Sequence, residues 1–356
     1  MKRKQLRVKK KRKKRIKFIV TTILAILVVG IGLGAYVLTQ AYQAADKTYE
    51  PLERGEKSKL REEAVTVSKD PISILLMGVE DYSTGGEHGR SDTMMVATFN
   101  PEDEKLKLLS IPRDSYVDIP ENGQDKINHS FAFGGKELTI QTVEDLLNIP
   151  IDYYATVNFE GFKNIVDTLG GITVDVPFDF EQNSDDRVAE KLQFYEGGEM
   201  ELDGRYALAY ARMRYEDPRG DIGRNERQKE VVQAIIKELA SPSTLTKVDD
   251  LAEDLGTNIE TNMKFSDALN FLKKYKNFDT SNIDQLKLEG ASDYLGKISY
   301  YFIDEQSLAE VQHELRVHLG LEEPTTTDST TSDMNEQQTN EYPNENSGYQ
   351  EEPATY

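Results

Sequence analysis

Residues 72–79 read ISILLMGV, and this stretch decides the fold. A continuous apolar run of this length, with a glycine near its end, is typical of a β-strand that is buried on both faces. Further along the chain, residues 93–99 and 106–111 predict two more strands. Asn100 and Pro101 open the short turn between them. The first part of the folded region is therefore predicted to be a sheet.

Helical patterns alternate with further strands after residue 130. The predicted helices are 138–147, 159–169, 203–210, 225–240, 266–275 and 305–319, and the predicted strands are 153–158, 172–176 and 285–289. Strands that alternate with helices imply an α/β fold, in which helices cover the faces of a central sheet.

The N-terminus predicts a membrane anchor. Residues 18–38 form an uncharged run of 21 residues, which as a helix spans roughly 30 Å, the thickness of a bilayer core. The first 17 residues contain 12 Lys or Arg, so the positive-inside rule places them in the cytoplasm. A cleaved signal peptide is the alternative for the apolar run, and a nuclear-localisation or DNA-binding segment is the alternative for the basic block.

Charge and composition divide the rest of the chain. The predicted segments are a basic tail (1–17), a transmembrane signal-anchor helix (18–39), an extracellular stalk (40–69), a catalytic domain (70–320) and a disordered acidic tail (321–356). The chain has 63 acidic and 43 basic residues, which argues against nucleic-acid binding by the body. It has no Cys and only four His, which excludes a thiol nucleophile and disfavours a zinc site.

Carboxylates collect at one edge of the predicted sheet. Glu80 and Asp81 follow the buried strand, and Asp92 lies just before the next strand. The loop after a strand is where α/β folds bind ligands. Carboxylates without His or Cys suit Mg²⁺, held together with substrate phosphates. The alternative is a solvated acidic loop.

Arginines collect in the second half of the domain. If residues 211–215 are extended, Arg212 and Arg214 point to one face. On the following helix, Arg224 and Gln228 share a stripe that continues with apolar residues. An Arg on a core-facing stripe needs an anion, so the pattern predicts a phosphate or pyrophosphate pocket. The alternative is surface ion pairing to Asp217, Asp221 or Glu226.

Five motifs together resemble the LytR-CpsA-Psr family of cell-wall enzymes. They are ILLMGVEDYSTGGEHGRSDTMMVATFNP, KLLSIPRDSYV, KINHSFAFGG, DYYATVNFEGFKNIVDTLGGITVDVP, and LDGRYALAYARMRY followed by GDIGRNERQKEVV. They occur in the family's order and cover most of residues 72–240. The resemblance implies a mixed central sheet with helices on both faces, after a single transmembrane helix.

The resemblance also implies a transferase that moves a wall polymer, such as a teichoic acid or capsular polysaccharide. The donor is a polyprenyl-pyrophosphate carrier and the acceptor is the C6 hydroxyl of muramic acid in peptidoglycan. The implied pyrophosphate-binding residues are Arg90, Arg113, Arg212, Arg214, Arg224 and Gln228. Asp92 matches one Mg²⁺-associated carboxylate, and the other position has Glu80 followed by Asp81, where the family commonly has Asp.

Attack of a hydroxyl on phosphorus needs charge neutralisation and positioning, which Arg113, the other arginines and Mg²⁺ supply. Asp92 or Asp114 is the candidate base. Two other functions stay open at this point: a pyrophosphatase or phosphodiesterase, and a membrane-bound transcriptional attenuator without enzymatic activity. The expected location is the cell membrane, with a single pass and the C-terminal domain outside.

Overall fold

The run at 72–79 lies in the middle of the central sheet, as strand β1 (Ile72–Glu80). The structure is a computed structural model. It describes residues 48–80, 89–184, 190–241, 244 and 258–323. Of Glu80 only the backbone is described. The described residues up to Glu322 belong to one compact unit.

Six strands form the sheet around β1. The others are β2 (Arg90–Asn100), β3 (Lys105–Ser110), β6 (Tyr153–Asn158), β11 (Ile259–Thr261) and β12 (Ile283–Lys287). Their order is β11-β6-β1-β2-β3-β12. β1 is antiparallel to β2 and parallel to β6, and β12 is parallel to β3. The predicted mixed sheet is confirmed.

The described helices and the smaller sheets surround this centre. The helices are α1 (His129–Leu147), α2 (Phe159–Leu169), α3 (Gly204–Arg212), α4 (Asp221–Leu239), α5 (Phe265–Lys274) and α6 (Glu305–His318). Four two-stranded sheets pair β4 (Tyr116–Ile119) with β5 (Gly123–Lys126), β7 (Ile172–Asp175) with β10 (Glu199–Leu202), β8 (Phe180–Asn183) with β9 (Lys191–Phe194), and β13 (Gly290–Leu295) with β14 (Ile298–Ile303).

The two faces of the sheet are packed differently. Leu75 and Met77 of β1 point to a closed core, where they join Ile140 and Val143 of α1 and Leu315 of α6. These five side chains are at most 1% exposed, and each contributes roughly 1.5–3 kcal/mol through burial. The alternate residues of β1 point to the other face, which α2, α3, α4 and α5 cover incompletely. That face contains the large cavity described below.

Local signals set where the helices begin and end. The Asn158 side chain accepts a hydrogen bond from the Gly161 N–H (2.8 Å), and Asp203 Oδ1 accepts one from the Tyr206 N–H (2.9 Å). Both are N-caps, which satisfy an otherwise free backbone donor. Gly170 ends α2 with φ of 94°, in the left-handed region that favours glycine. The Asn158 cap starts α2 directly at the end of β6 and so brings Phe159 to that end of the sheet.

The segment before β1 differs from the predicted stalk. Its described part, 48–69, lies against the domain. Arg54 pairs with Glu144 of α1 (2.7 Å), and Arg61 pairs with Asp152 (2.7 Å). Leu52 is buried in the same core as β1. The folded domain therefore begins by residue 48, well before the predicted boundary at residue 70.

Helix α1 begins nine residues earlier than predicted. Gly134 and Gly135 lie within it in non-helical conformations, with φ of −151° and 59°. The kink interrupts the apolar periodicity, which is why the sequence indicates a helix only from residue 138. The hairpins β4–β5, β8–β9 and β13–β14 were not predicted; their strands are four to six residues long.

Several predictions concern residues outside the described part of the chain. They are the basic tail (1–17), the transmembrane segment (18–39), the first part of the stalk and nearly all of the acidic tail. Among the helices that the structure does describe, none combines the length and the apolar character required to cross a bilayer.

Candidate active site

A polar pocket of about 230 Å³ lies among the ends of five helices and strands. It lies at the Gly78 end of β1, where β2 begins, α2 starts and α3 gives way to α4. Its lining residues are Gly78, Asp92, Thr93, Arg113, Phe159, Arg212, Arg214, Tyr215, Arg224 and Gln228. Five of the six residues predicted to bind pyrophosphate therefore lie together in one pocket. The sixth, Arg90, is exposed and does not line it.

Two of the arginines share one carboxylate at the start of α4. Asp221 contacts Arg214 Nη2 through Oδ2 (2.9 Å) and Arg224 Nη2 through Oδ1 (2.8 Å). The surface ion pairing named as the alternative is thus present, but it does not remove the arginines from the pocket. Arg224 is 9% exposed, and its Nε has no hydrogen-bond partner among the described atoms. One carboxylate is insufficient to satisfy both guanidinium groups.

The surroundings of Arg224 disfavour the positive charge of its guanidinium group. Burial lowers the pKa of Arg224, and the nearby positive charges of Arg113 and Arg214 lower it further, while Asp221 opposes the change. A depressed pKa means that the surroundings disfavour the charged form. Arginine nevertheless stays protonated at neutral pH. An anionic ligand in this pocket would offset the unfavourable charge.

Arg113, a further arginine of the pocket lining, pairs with Asp92. Arg113 Nη1 donates to Asp92 Oδ1 (2.7 Å), and Asp114 lies behind, with Oδ2 at 3.7 Å from Arg113 Nε. Burial opposes the charge of Arg113, but Asp92 and then Asp114 outweigh it and raise the pKa of Arg113. Lys126 in turn donates to Asp114 Oδ1 (2.7 Å). Asp114 therefore supports Arg113 from outside the pocket, whereas Asp92 lies on its wall.

The prediction that residues 211–215 are extended is wrong. Arg212 is the last residue of α3, because the Asp203-capped helix continues two residues beyond its predicted end. The Arg212 guanidinium lies 4.8 Å from the centre of the Phe159 ring. Arg212 and Arg214 still line one pocket, because the chain leaves the helix at Met213, between them.

A second cavity, of about 510 Å³, continues from the polar pocket beneath the sheet. Its walls are almost entirely apolar and come from β1, β2 and helices α2 to α5. The two cavities share Gly78, Thr93, Phe159, Arg212 and Gln228. Together they form a site with a cationic end and a long apolar end.

One face of helix α4 lines both cavities. Arg224 and Gln228 line the polar pocket, and Val232 and Ile236 line the apolar cavity. Gln228 Nε2 donates to the Ala211 carbonyl (3.4 Å), which ties α4 to α3. This arrangement agrees with the predicted stripe, which is polar in its first turns and apolar beyond.

The sequence did not reveal the support beneath this pocket. Arg227 is 2% exposed and donates to the Met213 carbonyl (2.5 Å) and to Asp217 Oδ2 (2.5 Å). Met213 and Asp217 are the two ends of the segment that carries Arg214. Gly223 makes room, because a Cβ there would lie 1.8 Å from Asp217 Oδ2. No signal in the sequence indicated this contact, because Gly223 lies before the predicted start of the helix at residue 225, whereas the observed helix begins at Asp221.

Of the three predicted Mg²⁺ ligands, Asp92 is the one whose side chain the structure describes. The Glu80 side chain and Asp81 fall in the part of the chain that is not described. Within the described residues, no three His, Cys, Asp or Glu side chains are grouped to hold a metal ion. Mg²⁺ usually takes one or two carboxylates together with substrate phosphates and water. Among the described residues that line the pocket, Asp92 is the one carboxylate and could provide one such ligand.

Comparison with known proteins identifies the family. The profile of the LytR_cpsA_psr family matches residues 35–317. The chain belongs to this family. The resemblance given by the five motifs is thereby confirmed, and the LytR_cpsA_psr match extends well beyond them, to α6.

Relatives in the LytR_cpsA_psr family have named activities. The chain is 45% identical over 309 residues to polyisoprenyl-teichoic acid–peptidoglycan teichoic acid transferase TagV of Bacillus subtilis (strain 168), covering 85% of this chain and 78% of the relative. The crystal structure of B. subtilis TagV is 44% identical, with a TM-score of 0.64, and covers 71% of this chain and 98% of that one.

A second solved structure carries a lipid. It is the LytR-CPS2A-psr family protein YwtF (TagT) with bound octaprenyl pyrophosphate lipid. It is 32% identical to this chain, with a TM-score of 0.60, and covers 76% of this chain and all of the other.

Proposed function

We propose that this protein transfers a wall teichoic acid from a polyprenyl-pyrophosphate carrier to the muramic acid C6 hydroxyl of peptidoglycan. The observation that carries the proposal is the continuous site beneath the sheet. Its apolar part, about 510 Å³, suits a prenyl chain, and its arginine-lined part, about 230 Å³, suits a pyrophosphate. The names of the relatives supply the polymer class.

The chain's own residues neutralise and orient the donor. Arg212, Arg214 and Arg224 bind the pyrophosphate oxygens, and guanidinium groups can do so with two parallel hydrogen bonds each. Arg113 also lines the pocket. Asp221 pairs with Arg214 and Arg224, and the pyrophosphate would compete with this carboxylate for both guanidinium groups. Phosphoryl transfer depends mainly on this positioning and charge stabilisation.

The reaction exchanges one bond to phosphorus for another. The acceptor hydroxyl oxygen attacks the phosphorus that bears the polymer, and the anhydride bond to the prenyl phosphate breaks. The prenyl monophosphate leaves with the electron pair, and its charge is balanced by the arginines. Asp92 is the carboxylate on the described pocket wall and is the proton acceptor in this scheme. Asp114 acts as a positioning residue through Arg113.

Mg²⁺ is part of the proposal, with Asp92 and either Glu80 or Asp81 as its protein ligands. When bound, the ion would add positive charge next to the phosphate oxygens.

The membrane arrangement is also proposed here from the sequence. A single apolar span after a basic tail would leave the folded domain outside the cell, where a lipid carrier presents its head group at the outer leaflet. Protease added to wall-stripped cells should then remove the domain and leave a small N-terminal membrane fragment. Full protection of the domain would reject this topology.

The decisive experiment compares lipid affinity with stability. Arg212→Ala, Arg214→Ala and Arg224→Ala should each lower the transfer rate about 30- to 1000-fold, since losing one charge-assisted partner costs roughly 2–4 kcal/mol. Each variant should also lose its preference for a short-chain prenyl pyrophosphate over the matching alcohol. Lysine at these positions should restore activity only in part, because it lacks the planar fork.

The matched control is Arg219→Ala. Arg219 lies on the same loop and pairs with Glu226 and Asp217, but it does not line the pocket. This variant should keep the pyrophosphate preference. If the pocket variants lost stability yet kept that preference, the arginines would be structural. Labelled polymer released into solution instead of appearing on peptidoglycan would indicate a hydrolase.

A further inference from the structure

The most exposed large aromatic side chain in the described structure lies at the rim of the arginine pocket. Tyr215 is 92% exposed and lines that pocket. The other strongly exposed aromatics, Phe133, Tyr195 and Tyr294, do not line it. Tyr215 thus combines a large, solvent-facing ring with a place beside the proposed reacting phosphates.

The segment that carries Tyr215 is held at both ends. Arg227 donates to the Met213 carbonyl and to the Asp217 carboxylate, each at 2.5 Å, from a position that is almost fully buried. Between these ends, Glu216 Oε2 accepts a hydrogen bond from the Glu181 N–H of β8 (3.2 Å). The contacts on both sides fix the backbone of the loop while the Tyr215 ring faces solvent.

The Tyr215 ring also contacts Arg214, one of the arginines proposed to bind the pyrophosphate. The Arg214 guanidinium lies 5.8 Å from the centre of the Tyr215 ring, within the range of a cation–π contact. A ligand resting on the free part of this ring therefore lies next to a guanidinium that binds phosphate oxygens. The geometry suits a ligand with a flat apolar surface close to an anionic group.

We propose that Tyr215 is a stacking platform for a pyranose ring at the mouth of the pocket. One face of a pyranose presents C–H groups, which pack on an aromatic ring, while its hydroxyls stay in water. Tyrosine suits such a contact, because it offers a large rigid surface at a low cost in conformational entropy. This inference rests on the proposed function, which places a sugar on either side of the transferred phosphate.

Two sugars share this chemistry: the first residue of the donor polymer and the acceptor residue of peptidoglycan. The test uses the full chain in detergent. Its probes are a short-chain prenyl pyrophosphate, the same lipid carrying one N-acetylhexosamine, and a soluble peptidoglycan fragment as acceptor. The variants are Tyr215→Ala, Tyr215→Phe, which keeps the ring, and Tyr195→Ala, which removes an exposed tyrosine outside the pocket.

If the donor sugar stacks on Tyr215, Tyr215→Ala should weaken binding of the sugar-bearing lipid by roughly 2- to 10-fold, the range of aromatic stacking. Binding of the sugar-free lipid should stay unchanged. If the acceptor sugar stacks there, both lipid affinities should hold and the KM for the acceptor should rise by a similar factor. In either case Tyr215→Phe and Tyr195→Ala should behave like the unmodified chain.

A Tyr215→Ala variant with unchanged affinity for both lipids and unchanged acceptor KM would overturn the proposal. So would a loss of affinity for the sugar-free lipid as large as that for the sugar-bearing one, because the ring would then serve only to hold Arg214. Failure of the unmodified chain to prefer prenyl pyrophosphate over prenyl alcohol would instead contradict the proposed function. The two failures are therefore distinguishable.

Discussion

Arg227 and Asp217 form a buried ion pair beneath the loop that carries Arg214 and Tyr215. Arg227 Nη1 and Asp217 Oδ2 are 2.5 Å apart, and the two side chains are 2% and 0% exposed. Burial opposes the ionised form of Asp217, but the hydrogen bond and charge of Arg227 and the hydrogen bonds from Arg219 together outweigh it and lower the pKa of Asp217. The pocket therefore depends on a charge pair that makes no contact with the proposed ligand.

Removing one member of this pair should destabilise the protein strongly. Asp217→Asn leaves the Arg227 charge buried without a carboxylate, which typically costs about 3–5 kcal/mol. After Arg227→Met the Asp217 carboxylate keeps its contact with Arg219, so the loss should be smaller. The double variant should recover part of the loss, because no uncompensated charge remains. Urea unfolding of the three variants measures this coupling. Single variants that each cost less than about 1 kcal/mol would contradict it.

Gly223 should tolerate alanine only when Asp217 is shortened. In the unmodified chain a Cβ at position 223 would lie 1.8 Å from Asp217 Oδ2, so Gly223→Ala must displace the carboxylate and weaken its bond to Arg227. In an Asp217→Ala background that obstacle is gone. Alanine is there the better helix former by about 1 kcal/mol, and the same substitution should become neutral or stabilising. An equal cost in both backgrounds would show that another contact requires the glycine.

Asp221 competes with the proposed ligand for two arginines. It contacts Arg214 and Arg224, at 2.9 and 2.8 Å. Asp221→Asn should raise the affinity for a prenyl pyrophosphate by about 3- to 10-fold, because a nearby negative charge is removed. It should also lower the melting temperature of the empty protein, because the two guanidinium groups then repel each other. Calorimetric titration and thermal unfolding test both signs. Weaker binding with unchanged stability would mean that Asp221 acts mainly by orienting the arginines.

The sequence predicted those parts of the fold that depend on local pattern. The continuous apolar run made β1 recognisable, and the predicted helix 159–169 coincides with α2. The stripe from Arg224 to Ile236 predicted which face of α4 meets the site, because helical periodicity alone fixes which side chains share a face.

The parts that were missed depend on partners distant in sequence. The segment 48–69 is polar and reads as a stalk, but Arg54 and Arg61 find carboxylates about 90 residues away, at Glu144 and Asp152. In the sequence Arg227 cannot be distinguished from an exposed arginine, because its burial depends on the loop that ends at Asp217. Arg212, Arg214, Arg224 and Gln228 were found through their clustering together with the family resemblance, whereas Arg113 and the exposed Arg90 were carried over from the resemblance alone.

Asp92 should be essential for transfer but not for folding. Asp92→Asn keeps an oxygen that can accept from Arg113, so the melting temperature should change little. Transfer should fall about 100-fold or more through loss of the proton acceptor and of the proposed Mg²⁺ ligand. Chelator should abolish transfer by the unmodified chain, and Mg²⁺ should restore it. Asp114→Asn, which alters the support behind Arg113, is the control and should have a smaller effect. Full activity of Asp92→Asn in chelator would reject both roles.

His318 should make stability depend on pH below about 6.5, the ordinary pKa of an imidazole. It is buried at the end of α6, with Nδ1 2.8 Å from Thr98 Oγ1 on β2. Burial lowers the pKa of His318, and the charge of Lys107 lowers it further. In the unfolded chain the pKa of this histidine is about 6.5. The folded state therefore keeps His318 neutral at a pH where the same side chain in the unfolded state already binds a proton. Since the unfolded state binds more protons in this window, stability falls as pH falls, by up to about 1.4 kcal/mol per pH unit.

His318→Gln should remove this part of the pH dependence. Glutamine does not titrate and keeps a polar group close to Thr98, so the variant should show a flatter stability curve from pH 7 to 5 even if it is less stable throughout. His313→Gln is the matched control for the loss of a histidine, because His313 lies on the same helix with 40% of its side chain exposed. Urea unfolding at half-unit pH steps measures the slope for all three proteins. A His318→Gln slope equal to that of the unmodified chain would mean that the carboxylates, and not this buried imidazole, set the acid sensitivity of the domain.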